Sequence, residues 1–285
     1  MAKLDDSDYA RDYGFQLAFL KSDPELYKLF KKAVDKGYDP QKFQAELMQT
    51  KWYRTHGENY RQTLALQKTD PATYKSRLAS LVSQIADKAA AMGVTFSDKQ
   101  LANLAEHSLM FGWNENQLNN TMAKYITFSH AKGAAGSNIA AMQQAAWKNG
   151  LKFSGDTYRT WAQRIARGDN TVEDFQAYVR KQAAGLAPSY AEELNGGIDL
   201  YDVAQPYMQS MAQLLELNPA DIDLFDPTIR SALSGKGPDG KPTSKSLWQF
   251  ENEVRQDPRW LQTKNAQDAV YGVSHQILQT FGLMS

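Results

Sequence analysis

The chain has 285 residues, enough for one large domain or two small ones around a buried core. Its 32 basic and 32 acidic residues cancel, so the basic surplus that carries most duplex nucleic-acid binding is missing, and no basic run is longer than Lys31-Lys32. There is no cysteine, which excludes disulfides, thiolate zinc sites and cysteine nucleophiles and fits a protein made in a reducing cytoplasm.

The opening stretch, MAKLDDSDYARDYG, is acidic and polar and lacks the apolar core of a signal peptide. No window approaches the roughly 20 apolar residues that span a bilayer. The expectation is a soluble protein with no membrane segment and no recognisable export route.

Helical patterning then dominates, and one unit recurs. Ser22, Ser97 and Ser154 each open a helical pattern, with Leu26, Leu101 and Tyr158 four residues on and Leu29, Leu104 and Trp161 seven on. A glycine follows in each copy, at Gly37, Gly112 and Gly168, and two residues later comes Asp39, Asn114 or Asn170. The second half then places Phe43 and Leu47, Leu118 and Met122, or Phe175 and Val179 four residues apart. Each position has a physical reason. The serine caps a first helix, with Glu25 or Gln100 completing a capping box in two copies. The glycine supplies the positive φ that ends it. The Asp or Asn accepts from the free N–H groups of the next helix, Pro40 fits a first turn, and Gln117 and Glu173 complete further boxes. The apolar pair docks the second helix. The unit is a helical hairpin spanning about residues 22–47, 97–122 and 154–179. Its spacing is uneven, so the repeat is irregular, with longer helices inserted between hairpins.

One inserted helix is predicted over Pro71–Gly93, where Tyr74, Leu78, Leu81, Ile85, Ala89 and Met92 follow helical spacing and Gly93 suits a left-handed cap. HAKGAAGS (130–137) reads as a flexible loop, and SGKGPDGKPTSKS (234–246) as a linker. The linker closes a helical body over 1–233. A C-terminal helical segment follows over 247–285, in which Phe250 and Val254 form a pair and Ala269, Val273, Ile277 and Phe281 share one face. A degenerate fourth hairpin is one reading of that segment, and its RQDPRWLQT also echoes MQTKWYRT (48–55). No alternating strands bounded by hairpin turns stand out. The predicted fold is all-α, with minimal β content.

Chemistry is harder to find. The four histidines, His56, His107, His130 and His275, are scattered and make no metal-ligand pair. GKGPDGK lacks the strand and the GK[ST] ending of a phosphate loop. KGAAGSNIAAMQQA (132–145) matches the GAxGLMQ stretch of lytic transglycosylases only with an interruption, and no Glu-Ser pair precedes it. A general-acid Glu also needs an apolar pocket to raise its pKa, with Glu46 or Glu58 beside a Ser or Thr as the form to look for. The expectation is no enzyme, no metal and no cofactor. Aromatics interleaved with arginine mark a candidate partner interface instead: Trp52, Tyr53, Arg54 and Tyr60, then Trp248, Phe250, Arg259 and Trp260. Nucleic acid is not expected as the main partner, although the same residue types also stack on single strands.

Four segments carry a resemblance. YGFQLAFLKSDPELYKLFKKAV (13–34), FQAELMQTKWYRTHGENYRQ (43–62), NPADIDLFDPTIRSAL (218–233) and SLWQFENEVRQDPRWLQTKNAQDAV (246–270) resemble helical proteins encoded by tailed phages of actinobacteria. The FQAxLxxTxWY and FExxxRxDPRW patterns are the distinctive part. The resemblance implies a minor virion component made in the host cytoplasm and placed at the tail or its junction with the capsid. It implies contacts with other virion proteins and a ring- or trimer-symmetric oligomer. The alternative is an internal protein ejected with the genome that aids its delivery or the penetration of peptidoglycan. The family brings no catalytic residues.

Overall fold

A computed structural model describes residues 5–13, 15–237 and 239–269. Among them the fold is all-α, and the strands amount to two short ones. By contacts the chain divides into two units, one of residues 1–126 and 131–135, the other of 127–130 and 136–285.

The first unit begins with α1 (Asp6–Asp12), α2 (Leu17–Leu20), α3 (Pro24–Asp35), α4 (Pro40–Gln49) and α5 (Lys51–Thr55). Their inner faces form one buried cluster that includes Phe19, Leu20, Leu26, Phe30, Phe43, Leu47 and Trp52. Rings dominate this packing: Tyr13 stacks on Phe43 with centroids 4.5 Å apart, and Phe19 meets Trp52 edge-on at 5.7 Å. Then come α6 (Glu58–Thr69), the long α7 (Pro71–Met92), α8 (Asp98–Phe111) and α9 (Glu115–Ala123). The predicted long helix is there, and Gly93 closes it at φ +84°.

α10 (Gly133–Lys148) begins inside the stretch expected to be a flexible loop, so residues 133–137 are helical; burial of Ala135, Ile139 and Met142 on one face outweighs the low helix propensity of Gly133 and Gly136. The second unit continues with α11 (Gly155–Arg167), α12 (Val172–Leu186), α13 (Ala191–Asn195), α14 (Leu200–Leu215), α15 (Pro227–Leu233) and α16 (Leu247–Val254). Its buried cluster joins Leu194, Leu200, Met208, Met211, Leu215, Ile229, Leu233, Phe250 and Val254.

The stretch 234–246 holds β1 (Gly235–Lys236) and β2 (Pro242–Thr243), paired antiparallel. It is tied down where it ends: the Lys245 N–H donates to the Ala232 carbonyl, and the Lys245 carbonyl accepts the Tyr207 hydroxyl at 2.6 Å. α16 belongs to the second unit, with Phe250 edge-on to Tyr207 at 5.2 Å. The helical stretch that starts at 264 is described only to 269, so the expected face of Val273, Ile277 and Phe281 lies outside the described residues.

Each of the three stretches runs helix, glycine, helix: α3 into α4, α8 into α9 and α11 into α12. Gly37, Gly112 and Gly168 take φ of +59°, +59° and +80°, and the pairs Phe43/Leu47, Leu118/Met122 and Phe175/Val179 are buried. Ser97 and Ser154 cap α8 and α11, and Gln100 and Gln117 complete capping boxes. Two caps sit one residue later than the repeat predicts. Asp23, not Ser22, caps α3, and Ser22 donates to the Phe19 carbonyl instead. Thr171, not Asn170, caps α12, and its box partner is Asp174, not Glu173. In both places the chain offers two adjacent capping residues, and the second lies where the helix dihedrals begin.

Candidate functional site

The aromatic cluster flagged around residues 52–60 sits at the turn from α5 to α6. α5 is short because Thr50 caps it and its last turn is closed at His56, whose Nδ1 bonds the Trp52 carbonyl at 2.8 Å. Only one turn then separates Trp52, His56 and Tyr60, so their rings form a ladder. Centroid distances are 5.1 Å from Trp52 to His56 and 4.4 Å from His56 to Tyr60. The ladder continues through residues far away in sequence: Tyr60 to Phe111 at 6.3 Å, Phe111 to His107 at 5.9 Å and His107 to Trp113 at 6.2 Å. It begins in the core at Phe19 and reaches the surface at Phe111, which is 59% exposed.

At its outer end lies an open cleft of about 350 Å³, lined by Thr55, His56, Gly57, Glu58, Asn59, Tyr60, Met110 and Phe111. α6 contributes its first turn and α8 its last. Gly112 is required at the end of α8 because φ is +59° there and a Cβ would lie 1.8 Å from the Asn59 amide. Glu58 is exposed and accepts from Gln62 Nε2 at 3.0 Å. Thr55 and Glu58 therefore share one cleft, but the carboxylate is in water and not in an apolar enclosure. Glu46 is ion-paired with Lys32 at 3.2 Å.

The structure separates the eight flagged residues. Trp52 and Phe250 are core. Tyr53 is half-buried under the Arg61 guanidinium, 3.8 Å above its ring. Tyr60 is half-buried in the ladder, and Trp260 is half-buried against the second cluster. Arg54 is exposed, and Trp248 is 71% exposed at the start of α16. Arg259 forks between Asp226 at 3.2 Å and Asp257 at 2.7 Å. That guanidinium bond holds the Asp257 carboxyl below the usual carboxylate range. The first four lie in the first unit and the last four in the second.

Sequence reasoning missed Phe111, His107 and Trp113, which complete the ladder. Their spacing from Tyr60 of about fifty residues leaves no local signal. It also missed Leu261, 75% exposed beside Trp260. Among the described residues no cluster of His, Asp and Glu has the form of a metal site, and no helix is long and apolar enough to cross a membrane. No protein-family model matches this chain, and no curated protein or solved structure matches it.

Proposed function

We propose that this chain is a non-enzymatic structural component of a bacteriophage particle, associated with the tail or connector and working through protein–protein contacts. The observation that carries the reading is the exposure of large apolar side chains on helical elements: Trp248 at 71%, Leu261 at 75% and Phe111 at 59%. Large apolar side chains, aromatics above all, anchor subunit interfaces when a partner covers them. The resemblance of the 43–62 and 246–270 segments to helical virion proteins supports the same reading, and with it a virion location and other virion proteins, or further copies of this chain, as neighbours.

The experiment is quantitative mass spectrometry of purified particles, counting this chain against the portal protein. A fixed stoichiometry in multiples of a ring or trimer is expected. Absence from particles overturns the proposal.

A second reading, an internal protein that leaves with the genome and aids peptidoglycan penetration, draws on Thr55 and Glu58 lining one cleft. It requires release of soluble fragments from purified sacculi, abolished by Glu58→Gln. We expect no release, because the Glu58 side chain is exposed and has no apolar enclosure around it.

A further inference from the structure

The cleft at the end of the aromatic ladder has a definite electrostatic character. Among the described residues, its lining contains one carboxylate, Glu58, one imidazole, His56, and no Lys or Arg. Among the described residues, a hydrogen bond from Gln62 reaches Glu58 Oε1 and none reaches Oε2. Met110 and Phe111 are the last residues of α8, so the negative end of that helix dipole borders the same space. At the other wall, Glu58 offsets the positive end of α6. The rings of Tyr60 and Phe111, 6.3 Å apart at a 44° tilt, line the same space, and an aromatic face carries the negative side of a quadrupole. The carboxylate, the α8 C-terminus and the two rings favour a cation, and a planar one can lie flat on an aromatic face.

The chain itself uses this chemistry next door. The Arg61 guanidinium lies 3.8 Å over the Tyr53 ring while donating to the carbonyls of Tyr53 at 3.1 Å and His56 at 2.5 Å. Arg61 thus serves Tyr53 and the α5–α6 turn, whereas among the described residues no Lys or Arg lines the cleft that holds Tyr60, Phe111 and Glu58.

We propose that this cleft receives an arginine side chain projected by a partner protein, its guanidinium lying on Tyr60 and Phe111 and its fork donating to Glu58. Arginine suits the site better than lysine because its planar group stacks and bonds a carboxylate through two N–H groups at once. The inference stands on the cleft alone, so it survives or fails independently of whether the chain is found in particles.

The test is titration of the full-length protein, isotopically labelled on Tyr and Phe, with the peptide acetyl-Gly-Arg-Gly-amide. Acetyl-Gly-citrulline-Gly-amide is the neutral isostere, and N-acetylglucosamine the competing chemistry. The Tyr60 and Phe111 ring resonances are expected to shift with the arginine peptide, and the citrulline peptide to bind about tenfold more weakly or less, the scale of a partly desolvated cation–π contact. Glu58→Gln and Phe111→Ala are each expected to weaken the arginine peptide about tenfold while the far-UV circular dichroism is unchanged, since both side chains are exposed. Equal binding of the two peptides, binding undiminished in Glu58→Gln, or no shift with the arginine peptide overturns the proposal. Shifts with N-acetylglucosamine but not with the arginine peptide overturn it in favour of a sugar site.

Discussion

Glu25 lies in the first turn of α3, yet its two oxygens accept the backbone N–H groups of Lys51 at 3.0 Å and Trp52 at 2.7 Å, at the start of α5. Glu216 does the same at the other end of the chain, accepting from Lys264 at 3.0 Å and Asn265 at 2.8 Å. Each carboxylate satisfies donors that a helix start leaves free, and each ties a segment distant in sequence to its own helix. Glu216 holds its position at φ +54°, in the left-handed region that costs a side-chain residue about 1 kcal/mol. Glu216→Gly is therefore expected to leave global stability nearly unchanged, as relieved strain offsets the lost bonds, while hydrogen exchange at the amides of 264 and 265 speeds up. Unaltered exchange there would show that the carboxylate does not hold the segment. The displaced caps give a sharper contrast. Asp23→Ala is expected to cost about 1 kcal/mol and Ser22→Ala less than about 0.5, read from urea midpoints. The reverse order would restore Ser22 as the cap.

Acid sensitivity also resolves into single residues. The bond from Arg259 lowers the Asp257 pKa, the bond with Thr73 lowers that of Asp70, and the Thr171 backbone N–H lowers that of Asp174. A carboxyl with a depressed folded pKa contributes stability that is present above its unfolded value of about 3.9 and is lost as pH falls through the folded value. Stability is thus expected to drop below about pH 4, and Asp257→Asn to flatten part of that slope in urea melts taken between about pH 4 and pH 2. An unchanged slope would remove Asp257 from the account.

At the scale of the element, the helical hairpin shows why part of the fold is legible in sequence and part is not. A glycine two residues before an Asp or Asn, then an apolar pair four residues apart, are local rules, and the structure obeys them three times. Where Ser22 stands beside Asp23 and Asn170 beside Thr171, local rules cannot choose, and the register slips by one. Contacts made across long separations leave no trace in the pattern: Phe111 against Tyr60, or Glu25 under α5. The candidate site was therefore half visible, its Trp52–Tyr60 wall marked by interleaved aromatics and its α8 wall not. The same asymmetry ranks the glycines. Gly168 needs its φ of +80° but has open space around it, so Gly168→Ala is expected to cost only about 1 kcal/mol of strain. Gly112→Ala adds a collision with Asn59, and at Gly93 a Cβ would lie 1.6 Å from the Lys132 carbonyl oxygen, a backbone atom with nowhere to go. Melting temperatures should therefore fall in the order Gly168→Ala, Gly112→Ala, Gly93→Ala, the last being the lowest. A loss at Gly168 as large as at Gly93 would mean that strain and not crowding sets the cost. The hairpin at 235–243 is another element held from outside, through the Tyr207 hydroxyl on Lys245. Burial, then the hydrogen bond with Tyr190, pushes the Tyr207 pKa up to about 12.

For the whole molecule, the division of the chain matters more than any single element. Each unit has its own buried cluster. One is centred on Phe30 and Phe43, the other on Phe250, Met211 and Leu194, and all five are fully buried. The two clusters share no residue, and the prediction is that each melts as its own cooperative body. Phe30→Ala and Phe250→Ala each empty a ring-sized volume, at a cost of about 3–5 kcal/mol within the unit concerned. Calorimetry of the two variants should therefore resolve two transitions, each variant lowering a different one and leaving the other in place. A single transition lowered equally by both would show that the two clusters melt as one body. Trp248 lies outside that choice, because its side chain is 71% exposed and Trp248→Ala removes little buried area. Its replacement is expected to leave both transitions within about 0.5 kcal/mol of the parent, the range of surface substitutions. On the proposed virion role, loss of incorporation into particles in that variant would show that the exposed indole acts at an interface and not in the fold.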